Sequence, residues 1–268
     1  MSGVKSKSTP ELLASEKDFF DRESAELRDE VLALKPHTIE RYRKARPKIG
    51  NFSKDNLFAK IMPLEGKRVL DYGCGAGENS CLLAACGAEV WGFDLSPVSI
   101  EKAKRRAELM GLSGRTHFDV FAAGQTSYAN EQFDIVICFA ILHHLHMMLD
   151  DVYREISRIT RPGGAYYAIE PVANHVIVRK LRKVFPVELI ATPDERQLFN
   201  PELQKIDQFG FANVQFMYSL FLERFYRVFG DNTQRPLRKL DDRIERAMPF
   251  LRPLYGMVLV SAVKEKRT

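Results

Sequence analysis

A run of glycines at alternate positions, directly after a short apolar segment, constrains this chain more than any other feature. The apolar segment leads into Asp71, and the glycines are Gly73, Gly75 and Gly77. Glycine permits a positive φ and lets a ligand approach the backbone where a Cβ atom would collide. The next residues, Glu78 to Cys86, predict a helix whose first N–H groups have no partner within the helix. Strand, glycine turn and helix together predict a nucleotide-sized cradle at the carboxyl end of a sheet.

The chain after this turn alternates between strand and helix patterns. The segments that predict strands are Arg68 to Tyr72, Glu89 to Asp94, Arg115 to Val120, Phe133 to Phe139, Ala165 to Glu170, Phe211 to Tyr218 and Tyr255 to Val263. The helices predicted between them are Glu78 to Cys86, Pro97 to Met110, Asp150 to Thr160, which Arg161-Pro162-Gly163-Gly164 closes, and Asn200 to Phe209. This alternation predicts a parallel sheet covered by helices on both faces. Right-handed crossovers make a doubly wound α/β sheet the simplest topology.

Two stretches lie outside the alternation. Residues 1–62 form a leader with helical patterns, and residues 63–268 form the main domain. Residues 219–253 are too many for a plain connection, so they predict a helical insertion before the last strand. The insertion is compatible with a cap over an acceptor, a dimer surface, a helix at a membrane surface or simple packing on the sheet edge. A further basic helix is predicted from Asn174 to Phe185.

Composition narrows the class of protein. A chain of 268 residues with 45% hydrophobic and 28% charged residues can bury a full core, as one large domain or as a domain with a cap. Its longest apolar runs fall short of the ~20 residues that span a bilayer. The net charge of +5 is mild, and the basic residues are scattered among acids. This distribution favours solvated helix faces over a nucleic-acid surface.

The four cysteines indicate a reducing compartment. Cys74, Cys81, Cys86 and Cys138 form no C-x-x-C pair, and their spacing to histidines matches no zinc site. They are typical of reduced, buried residues. We therefore expect a cytoplasmic protein without a bound metal.

An acidic residue on the second predicted strand extends the cradle. Asp94 ends that strand, where a carboxylate lies beside the first glycine turn and can accept hydrogen bonds from both ribose hydroxyls. Dinucleotide-binding turns usually read G-x-G-x-x-G, with the pyrophosphate on the helix N-terminus. Here the glycines alternate and Asp71 precedes them, and a carboxylate at that position repels phosphate but suits a positive amino group.

These residues resemble a known family. The turn Asp71-x-Gly73-x-Gly75-x-Gly77, Asp94, Phe133-Asp134-Ile135-Val136-Ile137 leading to Leu142-His143-His144-Leu145, and Arg161-Pro162-Gly163-Gly164 occur in the order typical of class I S-adenosylmethionine-dependent methyltransferases. The resemblance is to the branch acting on small molecules, quinones and lipids, and it covers residues 65–170, with looser similarity at 200–218 and 255–263. It implies a Rossmann-like seven-stranded sheet with the last strand antiparallel, and methyl transfer to a natural-product or lipid-like acceptor.

The resemblance also assigns a cofactor site. The residues it places against S-adenosyl-L-methionine are Asp71, Gly73, Cys74, Gly75, Gly77, Asp94, Leu95, Ala122, Ala123 and Phe139. One position departs from the family. Many relatives carry Gly-Asp-Ala after the third strand, with the acid on the adenine amino group, whereas this chain has Phe121-Ala122-Ala123. Adenine would then be held by backbone groups and apolar contacts, or by Gln125.

The candidates for catalysis follow strands four and five. Methyl transfer is an in-line displacement that needs a general base only when the acceptor is protonated. His143 and His144 follow strand four and Glu170 ends strand five, although all three also suit a structural role.

The candidates for substrate binding come from the leader and the insertion. If the leader folds over the cofactor as a lid, Phe20, Arg41 and Tyr42 would line the acceptor pocket; ordinary packing is the alternative. Arginines of the insertion favour an amphiphilic or anionic acceptor, and they are Arg224, Arg227, Arg235 and Arg238.

Two other functions remain open at this stage. A dinucleotide-dependent oxidoreductase would use a similar sheet, but the glycine spacing disfavours it. A non-catalytic protein that binds the cofactor and serves as a partner is disfavoured by the two histidines. No motif names the acceptor atom, since folds of this kind share the cofactor half and vary the acceptor half.

Overall fold

A seven-stranded mixed sheet forms the centre of the molecule in a computed structural model that describes residues 9–44, 53–172, 174, 196–223 and 234–266. The strands, in chain order β1 to β7, are Arg68–Tyr72, Glu89–Asp94, Thr116–Val120, Phe133–Phe139, Thr160–Pro171, Phe211–Ser219 and Met257–Lys264. Their order across the sheet is β3-β2-β1-β4-β5-β7-β6. Strand β7 runs antiparallel to both of its neighbours, β5 and β6, and the other pairs are parallel. This confirms the predicted doubly wound sheet with an antiparallel last strand.

Helices cover both faces of the sheet. The helices up to β5 are α1 Thr9–Ala25, α2 Asp29–Leu32, α3 Pro36–Arg43, α4 Ser53–Ile61, α5 Glu78–Ala85, α6 Pro97–Leu109 and α7 Leu149–Ile159. Helix α6 shows why the boundaries could be predicted. The Ser96 hydroxyl accepts a hydrogen bond from the Ser99 N–H at 2.9 Å, and Pro97 occupies the first helical position.

The period of two along each strand sends its side chains into two cores. On one face, Leu70, Tyr72 and Val136 pack with α7 residues such as Tyr153. On the other face, buried side chains of β1 and β4 pack with α4 and α5, and examples are Val69, Ile135, Ile137, Phe58 and Leu82. The central strands are therefore buried on both sides, as parallel strands in α/β proteins are.

Several boundaries differ from the prediction. Strand β5 begins at Thr160 instead of Ala165, so the segment Arg161-Pro162-Gly163-Gly164 lies within the strand instead of closing α7. Thr160 pairs with Phe133 across the two strands, and an ion pair of 2.6 Å joins Arg161 Nε to Asp134 Oδ1. The next pair is Ile135 with Ala165, so residues 161–164 lie opposite Asp134 alone and bulge out of the ladder, with a φ of 75° at Gly163.

Two of the helical regions, the leader and the segment from Asn200 to Phe209, are divided into shorter helices. The first helix of the leader ends at Ala25, and α2 is a separate turn. The helix predicted from Asn200 starts from Phe199 as N-cap, is α-helical to Gln204 and continues as a 3-10 helix, Lys205–Phe209. Gly210 ends it with a φ of 80°.

The insertion before β7 is helical where the structure describes it. It contains the helix Gln234–Ala247 and the 3-10 helix Pro249–Leu254. The rest of it, at 224–233, and the basic helix predicted at 174–185 lie outside the described residues, except for Asn174. Within the described ranges, no helix has the length and apolar character needed to cross a membrane.

Candidate active site

The glycine turn is built around three positive φ angles. Gly73, Gly75 and Gly77 have φ of 72°, 50° and 74°. A Cβ atom on Gly73 would lie 2.5 Å from Ile141 Cγ1, and one on Gly77 would lie 2.7 Å from Ala103 Cβ. A Cβ atom on Gly75 would meet no described protein atom within 4 Å. The first and third glycines are thus needed for packing, whereas Gly75 leaves room for a ligand.

Asp94 is tied to the same turn. Its Oδ2 accepts a hydrogen bond from the Gly75 N–H at 2.9 Å, and its Oδ1 accepts one from the Ser96 N–H at 3.0 Å. Burial raises the pKa of this carboxyl group above its usual value. The carboxylate lies at the carboxyl end of β2, as the sequence predicted, and it lines the cavity described next.

A cavity of about 230 Å³ lies over the turn, at the carboxyl ends of β1, β2 and β4 and beneath α1. Seven of the ten predicted cofactor residues line it, and they are Gly73, Cys74, Gly75, Asp94, Leu95, Ala123 and Phe139. We call it the cofactor cavity. Of the other three, Asp71 and Gly77 belong to the turn itself, and Ala122 is exposed and outside the lining.

Asp71 is buried below the turn and has one unmatched oxygen. It is 1% exposed, and its Oδ2 accepts a hydrogen bond from the Ser80 hydroxyl at 2.6 Å. Its Oδ1 has no hydrogen-bond partner among the described residues. Burial raises the pKa of Asp71 to about 6. A buried carboxylate oxygen without a partner is costly, so a cationic ligand group placed there would be favoured.

Apolar side chains form the end of the cavity where adenine is expected. Leu95, Phe93 and Phe121 line it, and the rings of Phe93 and Phe121 are 6.1 Å apart. The Tyr72 hydroxyl accepts a hydrogen bond from the Gly124 N–H at 2.9 Å and so fixes the loop after β3. Gln125 is exposed and absent from the lining. The apolar alternative for adenine therefore has the better geometric support.

His143 and Glu170 form a buried pair outside the lining of the cofactor cavity. The distance from His143 Nδ1 to Glu170 Oε2 is 2.7 Å, and both side chains are at most 2% exposed. Glu170 Oε1 also accepts hydrogen bonds from the N–H groups of Ile141 and Leu142, at 3.0 and 2.9 Å. These contacts favour the structural alternative, in which the pair shapes the loop after β4.

His144 does line the cofactor cavity, and the leader contacts it there. Its Nδ1 lies 3.0 Å from Glu16 Oε2 of α1, and both side chains are at most 7% exposed. The Phe20 ring packs edge-on against the His144 ring at 5.4 Å. The sequence prediction included Phe20 but missed Glu16. Leu13, Glu16 and Phe20 share one face of α1, so helical spacing around the named aromatic residue could have identified the carboxylate.

Helix α1 is anchored beside α6. The Ser96 hydroxyl donates a hydrogen bond to Asp21 Oδ1 at 2.5 Å, and the hydroxyls of Ser24 and Ser99 are 2.7 Å apart. The leader therefore covers one side of the cofactor cavity and is held at the beginning of the same helix that Asp94 approaches.

The structure does not bring the other two leader residues to this cavity. Arg41 forms an ion pair with Asp55, with 3.1 Å between Nε and Oδ1. Tyr42 is buried against Phe58, with ring centroids 4.6 Å apart, and burial raises the pKa of Tyr42 to about 12. Both residues fit the packing alternative.

The cysteines are buried and free of disulfide bonds. Burial raises the pKa of the four thiols, Cys74, Cys81, Cys86 and Cys138. A raised thiol pKa disfavours the reactive thiolate. Within the described ranges, no group of three or more histidine, cysteine, aspartate or glutamate side chains is placed to hold a metal ion.

Comparison with protein families matches the chain to a methyltransferase domain. A family model described as a methyltransferase domain matches residues 63–198, about half of the chain. Among curated proteins, a methyltransferase, GfsG, of Streptomyces halstedii is 37% identical over 117 residues, which are 43% of this chain and 41% of that protein. A ubiquinone biosynthesis O-methyltransferase of Actinobacillus pleuropneumoniae is 34% identical over 116 residues, 42% of this chain and 49% of that enzyme. The chain thus spans less than half the length of these relatives.

Solved structures share the fold at low sequence identity. A geranyl diphosphate C-methyltransferase from Streptomyces coelicolor, bound to Mg²⁺, geranyl diphosphate and S-adenosyl-L-homocysteine, has a TM-score of 0.57. It is 16% identical, with 78% of this chain and 77% of that chain covered. Haemonchus contortus phosphoethanolamine N-methyltransferase 2, bound to S-adenosyl-L-methionine, has a TM-score of 0.60 at 18% identity, with coverage of 93% and 60%. At these identities the similarity establishes the fold alone.

Proposed function

The chain belongs to the family of methyltransferase domains, and from that premise we propose that it transfers a methyl group from S-adenosylmethionine to a small-molecule acceptor. The observation that carries the proposal is the turn in which Gly75 leaves open space next to two carboxylates, the buried Asp71 and the half-buried Asp94.

The residues of the cofactor cavity suit the three parts of this cofactor. Asp71 Oδ1 lacks a described partner and would take the amino group. Asp94 would accept the ribose hydroxyls, because its carboxylate lies at the end of β2 beside the turn. Leu95 and Phe121 would lie against the adenine ring.

The chemistry requires mainly positioning. When bound, S-adenosylmethionine supplies a methyl group that is already activated by the positive sulfur. The chain holds the acceptor in line with the bond that breaks and excludes water, and this alignment lowers the barrier. A hydroxyl acceptor also loses a proton, and His144 is our candidate to take it. The carboxylate of Glu16 beside its Nδ1 would stabilise the imidazolium.

We further propose that the leader, residues 1–62, acts as the lid of the domain formed by 63–268. Glu16 and Phe20 line the cofactor cavity from α1, so the leader supplies part of its wall. The insertion at 219–253 contributes to the acceptor side. Peripheral membrane contact through this segment stays a prediction; its described part exposes Phe250, which is 70% accessible. A cytoplasmic location likewise stays a prediction.

Transfer of a labelled methyl group tests the proposal. The full chain is incubated with S-[methyl-³H]adenosylmethionine and fractionated small-molecule extracts, with the Gly75→Ala variant as the inactive control. We expect label in a low-molecular-weight product that requires the unsubstituted chain. Binding of the cofactor without transfer into any extract would favour the non-catalytic partner protein instead.

A further inference from the structure

A second cavity of about 360 Å³ adjoins the cofactor cavity. The two cavities share three lining residues, Asn79, Phe139 and Ala140. Asn79 lies in the first turn of α5, directly after the glycine turn, and Phe139 and Ala140 end β4. The shared wall therefore lies between the glycine turn and the carboxyl end of β4.

We propose that this second cavity binds the body of the methyl acceptor, and that the acceptor is an uncharged, largely apolar molecule whose reacting atom lies at the shared wall. The inference rests on the proposed methyl transfer and adds the site and chemical class of the acceptor. The other lining residues come from the starts of α4, α5 and β7, from the ends of β5 and β6, and from the residues that follow β6. They include no residue of the predicted substrate set.

The backbone around the second cavity is fixed in uncommon conformations. Ala140 has a φ of 53°, and its N–H donates a hydrogen bond to the Ile169 oxygen at 2.8 Å. Leu220, on the opposite side, has a φ of 66°, and its oxygen accepts a hydrogen bond from the Gly256 N–H at 3.2 Å. Residues other than glycine rarely adopt a positive φ, and those that do are often found at ligand sites. The cavity is thus held open by the fold itself.

The charges that face the second cavity are compensated within the chain. Lys54 Nζ lies 3.5 Å from Glu78 Oε1. Glu223, whose side chain is 3% exposed, forms an ion pair with Arg238 from the helix Gln234–Ala247. Because each charge already has a partner of opposite sign, an ionic acceptor would have to break a pair to gain one.

The remaining lining is apolar or self-satisfied except at the shared wall, where the buried Oδ1 of Asn79 has no hydrogen-bond partner among the described residues. The hydroxyls of Ser53 and Ser219 are 2.8 Å apart and buried, so they bond to each other. Phe139, Ile169 and Met257 supply apolar surface. An apolar ring or chain gains most from such a wall. The pairing of Arg238 with Glu223 also speaks against the anionic acceptor that the arginines of the insertion had suggested from the sequence.

Two probes that share a ring and differ in charge test this assignment. Binding of 1-naphthol and of 1-naphthyl phosphate is measured by calorimetry to the full chain saturated with S-adenosylhomocysteine. The variant Met257→Trp fills the second cavity. Met217→Trp is its matched control, because Met217 is also half-buried, packs in the same cluster and lies outside the cavity lining.

We expect 1-naphthol to bind and 1-naphthyl phosphate to bind at least about tenfold more weakly. Met257→Trp should lower the affinity for 1-naphthol by at least about tenfold and leave the affinity for S-adenosylhomocysteine unchanged. Met217→Trp should change neither affinity. Equal or tighter binding of the phosphate, or no binding of 1-naphthol, would overturn the inference. An equal loss of S-adenosylhomocysteine affinity in Met257→Trp would assign the cavity to the cofactor instead. Failure of the unsubstituted chain to bind S-adenosylhomocysteine at all is a different result, which would refute the proposed function.

Discussion

The two adjoining cavities are built on different principles. The cofactor cavity rests on a single turn in which Gly73, Gly75 and Gly77 all require positive φ, and it keeps a buried carboxylate oxygen of Asp71 without a described partner. The second cavity draws its lining from several separate elements, and its charges are already paired. The first cavity is thus prepared for a charged ligand of fixed shape, and the second offers an apolar wall that many ligands could use. This difference explains why one site can be recognised from a motif and the other cannot.

The largest expected effect is on the free energy of unfolding, at the glycine of the turn where a Cβ atom would collide with the protein. In Gly73→Ala, the new Cβ atom would meet Ile141 at 2.5 Å in addition to the strained φ of 72°. We expect a loss of about 2–4 kcal/mol in the free energy of unfolding, from the left-handed backbone and from overpacking. Urea denaturation measures it.

Gly66→Ala is the matched control, since Gly66 also has a φ of 72° but a Cβ atom there meets no described atom within 4 Å. It should lose only about 1–2 kcal/mol, the backbone cost alone. Equal losses in the two variants would mean that the contact with Ile141 carries no energy.

The next effect concerns binding. In Gly75→Ala the added methyl group enters the cofactor cavity without touching the protein. We expect a stability loss similar to that of Gly66→Ala but a decrease of at least about tenfold in affinity for S-adenosylhomocysteine. Calorimetric titration tests this. Unchanged affinity would show that the ligand does not approach Gly75.

The buried carboxylate should make the cofactor cavity sensitive to pH. Burial raises the pKa of Asp71 from 3.8 to about 6, so the folded state holds this proton more tightly than the unfolded state does. The free energy of unfolding of the ligand-free chain should therefore fall by about 2 kcal/mol between pH 4 and pH 7 through this group. The raised pKa of Asp94 acts in the same direction. Affinity for S-adenosylhomocysteine should change oppositely, because its amino group prefers the ionised carboxylate, and should fall below pH 6.

Asp71→Asn should remove most of both pH dependences, as followed by urea denaturation and calorimetry from pH 4.5 to pH 7.5. Glu78→Gln, which changes a mostly exposed carboxylate nearby, should leave them in place. If Asp71→Asn retains the full pH dependence of binding, the amino group is held elsewhere.

The smallest expected effect tests the lid. Glu16→Ala removes the carboxylate that lies 3.0 Å from His144 Nδ1. It should lower the affinity for S-adenosylhomocysteine by roughly threefold to tenfold, because α1 is then held less firmly over the cavity. Glu23→Ala, an exposed position on the same helix, is the control. Equal affinities in the two variants would show that the contact of Glu16 with His144 does not contribute to cofactor binding.

The sequence allowed the sheet to be predicted because its signals are local. Apolar strands such as Phe133–Phe139 and caps such as Ser96-Pro97 carry their own geometry, and they were predicted to within about one residue. The start of β5 was missed because Thr160 pairs with Phe133 ahead of a bulge at residues 161–164, and the turn residues of that bulge hide the pairing from a local pattern. The packing of α1 against His144 joins residues more than a hundred positions apart, and no local pattern encodes it.

The site residues could likewise be predicted only where their signal is local in the sequence. Gly73 to Asp94 could be assigned because a ligand-binding turn needs glycine and acid at fixed spacing. Ser53, Ser219 and Met257 are ordinary residue types that acquire a role only where α4, β6 and β7 meet. Composition and periodicity contain no information about that meeting point.

The central claim is that the glycine turn holds S-adenosylmethionine, and calorimetric titration of the full chain with S-adenosylhomocysteine and with NADH tests it most directly. We predict saturable binding of one S-adenosylhomocysteine per chain and no detectable binding of NADH. Saturable binding of NADH with no response to S-adenosylhomocysteine would contradict the account.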